Sequence, residues 1–120
     1  MSGKALLSFL LVATSAAAMA SEPGYRLRIE SSTQDGQLTV VPQLAAPAGA
    51  RLRYEIVSSR RGGAGTSNSS QSGSVSVGPE GSVKLSTLSV STGPQDRYVV
   101  TVKVFDGAKL VAEEVLRHPQ

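Results

Sequence analysis

The stretch Arg51-Leu52-Arg53-Tyr54-Glu55-Ile56 decides the fold. In an extended chain successive side chains point to opposite faces, so Leu52, Tyr54 and Ile56 share one face and Arg51, Arg53 and Glu55 the other. The first face is core and the second is wet. Upstream, Tyr25, Leu27 and Ile29 alternate in the same way with Arg26, Arg28 and Glu30. Asp35-Gly36 supplies a turn, and Leu38 and Val40 begin a second strand that Pro42 either ends or confines to a sheet edge. Ala45 to Gly49 has the composition of a loop.

Downstream, Arg60 to Gly73 is rich in Gly, Ser, Asn and Thr and almost free of apolar side chains, which predicts a long mobile loop with room for a polar edge strand inside it. Val75 and Val77 resume the alternation, and Gly78-Pro79-Glu80-Gly81 turns the chain into Val83, Leu85, Leu88 and Val90. Gly93-Pro94-Gln95-Asp96 turns it again into Tyr98, Val100, Val102 and Val104. There Val99 and Phe105 are apolar on the opposite face too, which predicts a central strand covered on both sides. Such a run is prone to β-aggregation, and Lys103 interrupts it. Asp106-Gly107 predicts a type I′ hairpin, and Leu110 to Leu116 returns as the last strand. No segment holds an apolar stripe at helical spacing through three turns. The chain reads as all-β, an immunoglobulin-like β-sandwich of about seven antiparallel strands, with a small barrel as the alternative.

At the N-terminus, Lys4 precedes an apolar run from Ala5 to Ala18 that ends in Ala18-Met19-Ala20. This is the pattern of an export signal cut before Ser21, and the run, interrupted by Ser8, Thr14 and Ser15, is too short and weak for a membrane anchor. The expected organisation is a signal peptide over residues 1–20 and one sandwich domain over 21–120, delivered to the periplasm with no membrane attachment after cleavage. Without Lys4 the chain has 11 Lys and Arg against 9 Asp and Glu, too mild and dispersed an excess for a nucleic-acid partner. It has no cysteine, so neither disulfides nor thiolate metal sites enter, and the apolar core alone must hold the fold.

Catalytic machinery is missing. The one histidine, His118, is third from the end, leaving the many serines without a base. Glu113 and Glu114 are neighbours on a strand and point to opposite faces, so they form no carboxylate pair. No phosphate loop, nucleophile elbow or metal-spaced His/Cys set occurs, and Asn68-Ser69-Ser70 reads as loop composition. No enzyme activity, metal or cofactor is expected. What remains is surface: Arg26 and Arg28 on one strand, Arg51 and Arg53 on another, and Arg60-Arg61 at the start of the polar stretch. If the two strands share a sheet, their four guanidinium groups form a basic stripe suited to carboxylates on a partner chain. The plainer account is a strand face charged for solubility.

The order Leu85, Leu88-Ser89-Val90, Gly93-Pro94-Gln95-Asp96-Arg97, the valine run to Phe105-Asp106-Gly107 and then Lys109-Leu110 resembles the periplasmic curli-assembly chaperones of the CsgC and CsgH type, closest to the cysteine-free CsgH branch. Glu55-Ile56-Val57-Ser58 and Arg60-Arg61-Gly62 sit where that family has them. The resemblance implies an immunoglobulin-like sandwich and a monomeric chaperone that keeps a curli-type amyloid subunit, its transient client, from polymerising early. Some relatives carry Cys-x-Cys where this chain has Ala50, Arg51 and Leu52, so a redox role does not transfer. Arg26, Arg28, Arg51, Arg53, Arg60 and Arg61 are the candidate client-binding residues. The competing expectation is a structural or adhesive module of a fibre or pilus system, joined by strand addition. A sugar-binding domain would want aromatic platforms, and Tyr25, Tyr54 and Tyr98 all fall in phase with the core.

Overall fold

The computed structural model describes residues 20–63 and 65–119; of the expected signal peptide, residues 1–19 lie outside the described residues. The strands are β1 (Ala20–Ser21), β2 (Arg26–Gln34), β3 (Gln37–Ala45), β4 (Arg51–Gly62), β5 (Gly65–Ser76), β6 (Ser82–Lys84), β7 (Leu88–Ser91), β8 (Arg97–Asp106) and β9 (Lys109–His118). They form two antiparallel sheets, β1-β9-β8-β4-β5 facing β2-β3-β6, with β7 also paired to β3. The chain is the all-β sandwich that the alternation predicts.

The apolar phase of each strand meets between the sheets. Leu27 and Ile29 of β2, Leu38, Val40 and Leu44 of β3, and Leu52 and Ile56 of β4 are buried there with Val100, Val102 and Val104 of β8. Tyr25 and Tyr54 pack against this cluster, and Tyr98 is buried within it. Tyr98, at the start of β8, donates its hydroxyl to the Ser91 carbonyl at the end of β7, the arrangement of a tyrosine corner. Burial pushes its phenol above the ordinary 10.0; Arg60 opposes that rise and Asp96 adds to it.

Four local expectations need correction. Arg60–Gly73 holds the polar edge strand that the sequence left room for, but no long loop around it: β4 and β5 run as one hairpin from the Arg51↔Ser76 pair to the Gly62↔Gly65 pair, held by backbone bonds that need no apolar side chains. Pro42 neither ends β3 nor marks an edge, because β3 lies between β2 and the β6/β7 side. Its carbonyl accepts from Leu85 N–H at 3.0 Å, and a strand residue directs its N–H and C=O to the same side. The missing donor therefore faces the gap between β6 and β7, where no ladder bond is lost.

The type I′ geometry sits at the other Asp-Gly. Asp35 and Gly36 have φ of 53° and 73°, as both central residues of that turn require. Asp106 instead pairs with Lys109, so Gly107-Ala108 is the loop, and only Gly107 has positive φ, at 64°. That pattern suits a type II′ turn. Finally, β8 is central but covered on one side only: Val99 is 37% exposed, and Phe105 is shielded by the Arg53 guanidinium, 4.5 Å from its ring centroid.

Candidate functional site

Register and alternation place the side chains on the outer face of the five-stranded sheet. From β4 come Arg51, Arg53, Glu55, Val57 and Arg61; β8 sends out Arg97, Val99, Lys103 and Phe105. A register shift between Val104 and Phe105 rephases β9, so that Val111 and Ala112 are both buried while Leu110, Glu113, Val115 and Arg117 face outward. The face thus holds six cations, Arg51, Arg53, Arg61, Arg97, Lys103 and Arg117, against Glu55 and Glu113. This local excess of four is larger than the formal +3 of the whole chain.

Pairing within the face is partial. Arg53 bonds Glu55 at 2.8 Å, and Lys103 is flanked in register by Glu55 and Glu113. Among the described residues, Arg51, Arg61, Arg97 and Arg117 have no carboxylate within ion-pair distance. Among these cations lie the exposed large apolar residues, Val57 at 45%, Val99 at 37% and Leu110 at 36%. A shallow groove at one end is lined by Arg51, Arg53, Ser74, Ser76 and Gly107. Such an open surface offers contact to an extended chain and encloses no small molecule. Among the described residues no three His, Cys, Asp or Glu side chains gather as a metal site.

The six arginines singled out from the sequence divide three ways. Arg51, Arg53 and Arg61 lie on this face. Arg26 and Arg28 lie on β2, in the other sheet, so the four-arginine stripe does not form. There Arg28 bonds Glu30 at 2.9 Å, and the Gln43 amide donates to the same carboxylate at 3.1 Å. Arg60 has the inward phase of Tyr98, its partner in register, and pairs with Asp96 at 3.5 Å, the two side chains only 28% and 15% exposed. Asp96 also accepts the Gly93 N–H at 2.8 Å, and a Cβ on Gly62 would fall on its carboxylate. Arg60 thus ties β4 to the β7–β8 turn and is a structural residue.

Arg97, Lys103 and Arg117 were missed because they are scattered in sequence. Only the pairings β4–β8 and β8–β9 bring them onto one face, Arg97 opposite Arg61, Lys103 opposite Glu55 and Arg117 opposite Val99, and alternation around Val100 and Val102 was the available signal for the first two.

The family described as thin aggregative fimbriae synthesis protein matches residues 16–115. The curli assembly protein CsgC of Escherichia coli is 31% identical over 81 residues, which cover 67% of this chain and 74% of that protein. Among solved structures, E. coli curli protein CsgC superposes with a TM-score of 0.64 at 25% identity, over 80% of this chain and 99% of that one. The solution structure of R. palustris CsgH gives a TM-score of 0.60 at 20% identity, over 75% and 90% of the two chains.

Proposed function

This chain belongs to the thin aggregative fimbriae synthesis protein family, and we propose that it serves curli assembly as a periplasmic chaperone that holds back premature amyloid polymerisation of a curli-type subunit. The observation that supports this most is the flat outer face of the large sheet, where Arg51, Arg61, Arg97 and Arg117 stand unpaired among the described residues beside exposed Val57 and Val99. Arg61 and Arg97 are partners in the β4–β8 register and neighbouring strands lie about 4.8 Å apart, so these two cations repel each other within the screening length of about 8 Å at physiological salt, while Arg51 stands at the other end of β4. A client carrying carboxylates relieves that repulsion, and the guanidinium fork meets a carboxylate with two bonds. Each exposed pair contributes only about 0–1 kcal/mol. Contacts of that size give fast encounter and fast release, as a chaperone acting well below equimolar concentration requires.

The test is a fibrillation assay. Mature protein is added substoichiometrically to freshly desalted subunit, and the lag is compared with that given by Arg51→Glu/Arg61→Glu/Arg97→Glu. The intact protein lengthens the lag, and the triple variant, with a local charge lower by six, does so at least tenfold less effectively per mole, corresponding to about 1.4 kcal/mol of lost contact. Equal potency of the triple variant removes the basic face from the mechanism. A lag unaltered by the intact protein removes the chaperone role.

A further inference from the structure

The two sheets have four lateral margins, and three carry features that discourage another strand from adding. Along β2 run Arg26, Arg28 and Glu30. The β6/β7 margin is split into strands of three and four residues. On β9, β1 covers Ala112 and Glu113, and Glu114 beyond it turns its carboxylate inward. Short strands, charge, covering and inward charges are the usual protections of a sheet edge.

The fourth margin has none of them. β5 is twelve residues long, runs opposite β4 without a register shift, and holds no charged residue and no proline. At about 3.4 Å per residue it presents an edge of about 40 Å. Its outer side has no strand partner among the described residues. Val77, just beyond β5, donates its N–H to Ala50 at 2.9 Å, and alternate residues of an antiparallel ladder bond to the same side. The odd-numbered residues therefore bond β4, and Thr66, Asn68, Ser70, Ser72, Ser74 and Ser76 turn their N–H and C=O groups away from the sheet. The strand is held in place: Ser69 Oγ lies 2.9 Å from Ser58 Oγ, and Gln71 Nε2 donates to Ser86 Oγ at 2.9 Å. A preformed edge spares an incoming chain the cost of ordering its partner.

We propose that β5 is a docking edge to which an extended, lysine-free segment rich in Ser, Asn, Gln and Gly adds as a further strand. The chemistry of that segment follows from what it would lie beside. Thr66, Asn68, Ser70 and Ser72 offer hydroxyl and amide partners, which form ladders with side chains of their own kind. The next strand inward carries Arg51, Arg53 and Arg61 on its outer side, so a cationic segment is repelled and a neutral or acidic one is accepted. This deepens the chaperone reading by adding a second, directional contact, the capping of a growing polar strand.

The direct test uses a soluble ten-residue peptide of Ser, Gln, Asn and Gly, a twin carrying two lysines, and amide NMR of the mature protein. The neutral peptide shifts the amides of Thr66, Asn68, Ser70, Ser72, Ser74 and Ser76, and the lysine twin binds more weakly. Ser70→Pro removes one outward donor without touching the β4 ladder and weakens binding about fivefold. Ser70→Lys/Ser72→Lys, which keeps every backbone donor and places on the edge two charges that an added strand must desolvate, gives a similar loss. Unchanged peptide affinity in both variants overturns the proposal, as do shifts confined to the β4 and β8 outer face. Concentration-dependent shifts of the same six amides without peptide also overturn it, by making a second copy of this chain the occupant. Peptide binding is read without any fibre, so failure of the edge and failure of the chaperone role are separate results.

Discussion

Glu114→Leu is expected to make the protein more stable and less soluble. Val102 is fully buried, and Glu114 is its partner across the β8–β9 ladder, lying in sequence between Ala112 at 0% and Leu116 at 4% exposure on the inward phase of β9. Burial raises its carboxyl above the ordinary 4.5. For an acid raised on folding, the native state binds more protons than the unfolded chain between the two pKa values. The stabilising contribution is complete below 4.5 and is lost as pH rises through the folded value, so at neutral pH the ionised side chain is a liability. The carboxylate is half-exposed, which limits that electrostatic gain. Half-burying a leucine there adds about 1 kcal/mol, taking half of the 1.5–3 kcal/mol of full burial. For a domain of this size that is a rise in Tm of about 4–8 °C.

Urea melts at pH 7 and pH 5 measure both parts. Wild type gains stability on acidification from 7 toward 5 to the extent that Glu114 takes up its proton, and Glu114→Leu flattens that gain. A destabilised variant would refute the placement of this carboxylate on the core side. Light scattering follows the second consequence, since the part of β9 beyond Glu113, unpaired among the described residues, loses the inward charge that keeps other strands from adding.

Val102→Ala, at a position with no exposure, should cost about 2–3 kcal/mol in denaturant melts, since the removed methyls leave a cavity between the sheets. Tyr98→Phe, which removes the bond to the Ser91 carbonyl and leaves that acceptor short of a donor, should cost about 1 kcal/mol and loosen the β7–β8 turn in hydrogen exchange. Gly62→Ala should displace Asp96 from both Arg60 and the Gly93 N–H; its destabilisation should shrink in an Asp96→Ala background, where the clash is gone, and additive losses would refute the coupling. Arg28→Ala should leave stability within about 0.5 kcal/mol and the fibrillation lag unaltered, because its exposed pair with Glu30 lies in the sheet away from the basic face.

The core was legible wherever burial on one face imposed a period of two. Leu27/Ile29, Leu52/Ile56 and Val100/Val102/Val104 all landed inside, as their alternation required. Gly65 to Ser72 has no such period, because a hairpin held by backbone bonds leaves no trace in apolar spacing, and its Ser-rich composition is shared with loops. Pro42 misled for a related reason: what matters is where its absent N–H points, and that depends on the split between β6 and β7, a tertiary feature. Half of the basic face was invisible because Arg97, Lys103 and Arg117 join Arg51 and Arg61 only through long-range pairing. Arg60 and Arg61, adjacent in sequence, were read as one unit, although alternation sends the first to Asp96 and the second to solvent.

The basic face and the open edge are linked by the parity of β5. Its outward-bonding residues, Thr66 through Ser76 in steps of two, are also those whose side chains lie on the same outer side as Arg51, Arg53 and Arg61. A strand added to β5 would therefore extend the basic face by one column, with its own outward side chains two strand spacings, about 10 Å, from those arginines. At that distance a carboxylate gains only about 0.4 kcal/mol from each cation in water, before screening. Charge at this range gathers and orients a passing chain but does not retain it. Retention falls to the ladder bonds, which are insensitive to salt. For a peptide carrying carboxylates, raising ionic strength should thus slow association while leaving the dissociation rate nearly unchanged, whereas Ser70→Pro should do the reverse. If stopped-flow kinetics showed both perturbations acting on the same rate constant, face and edge would be a single contact.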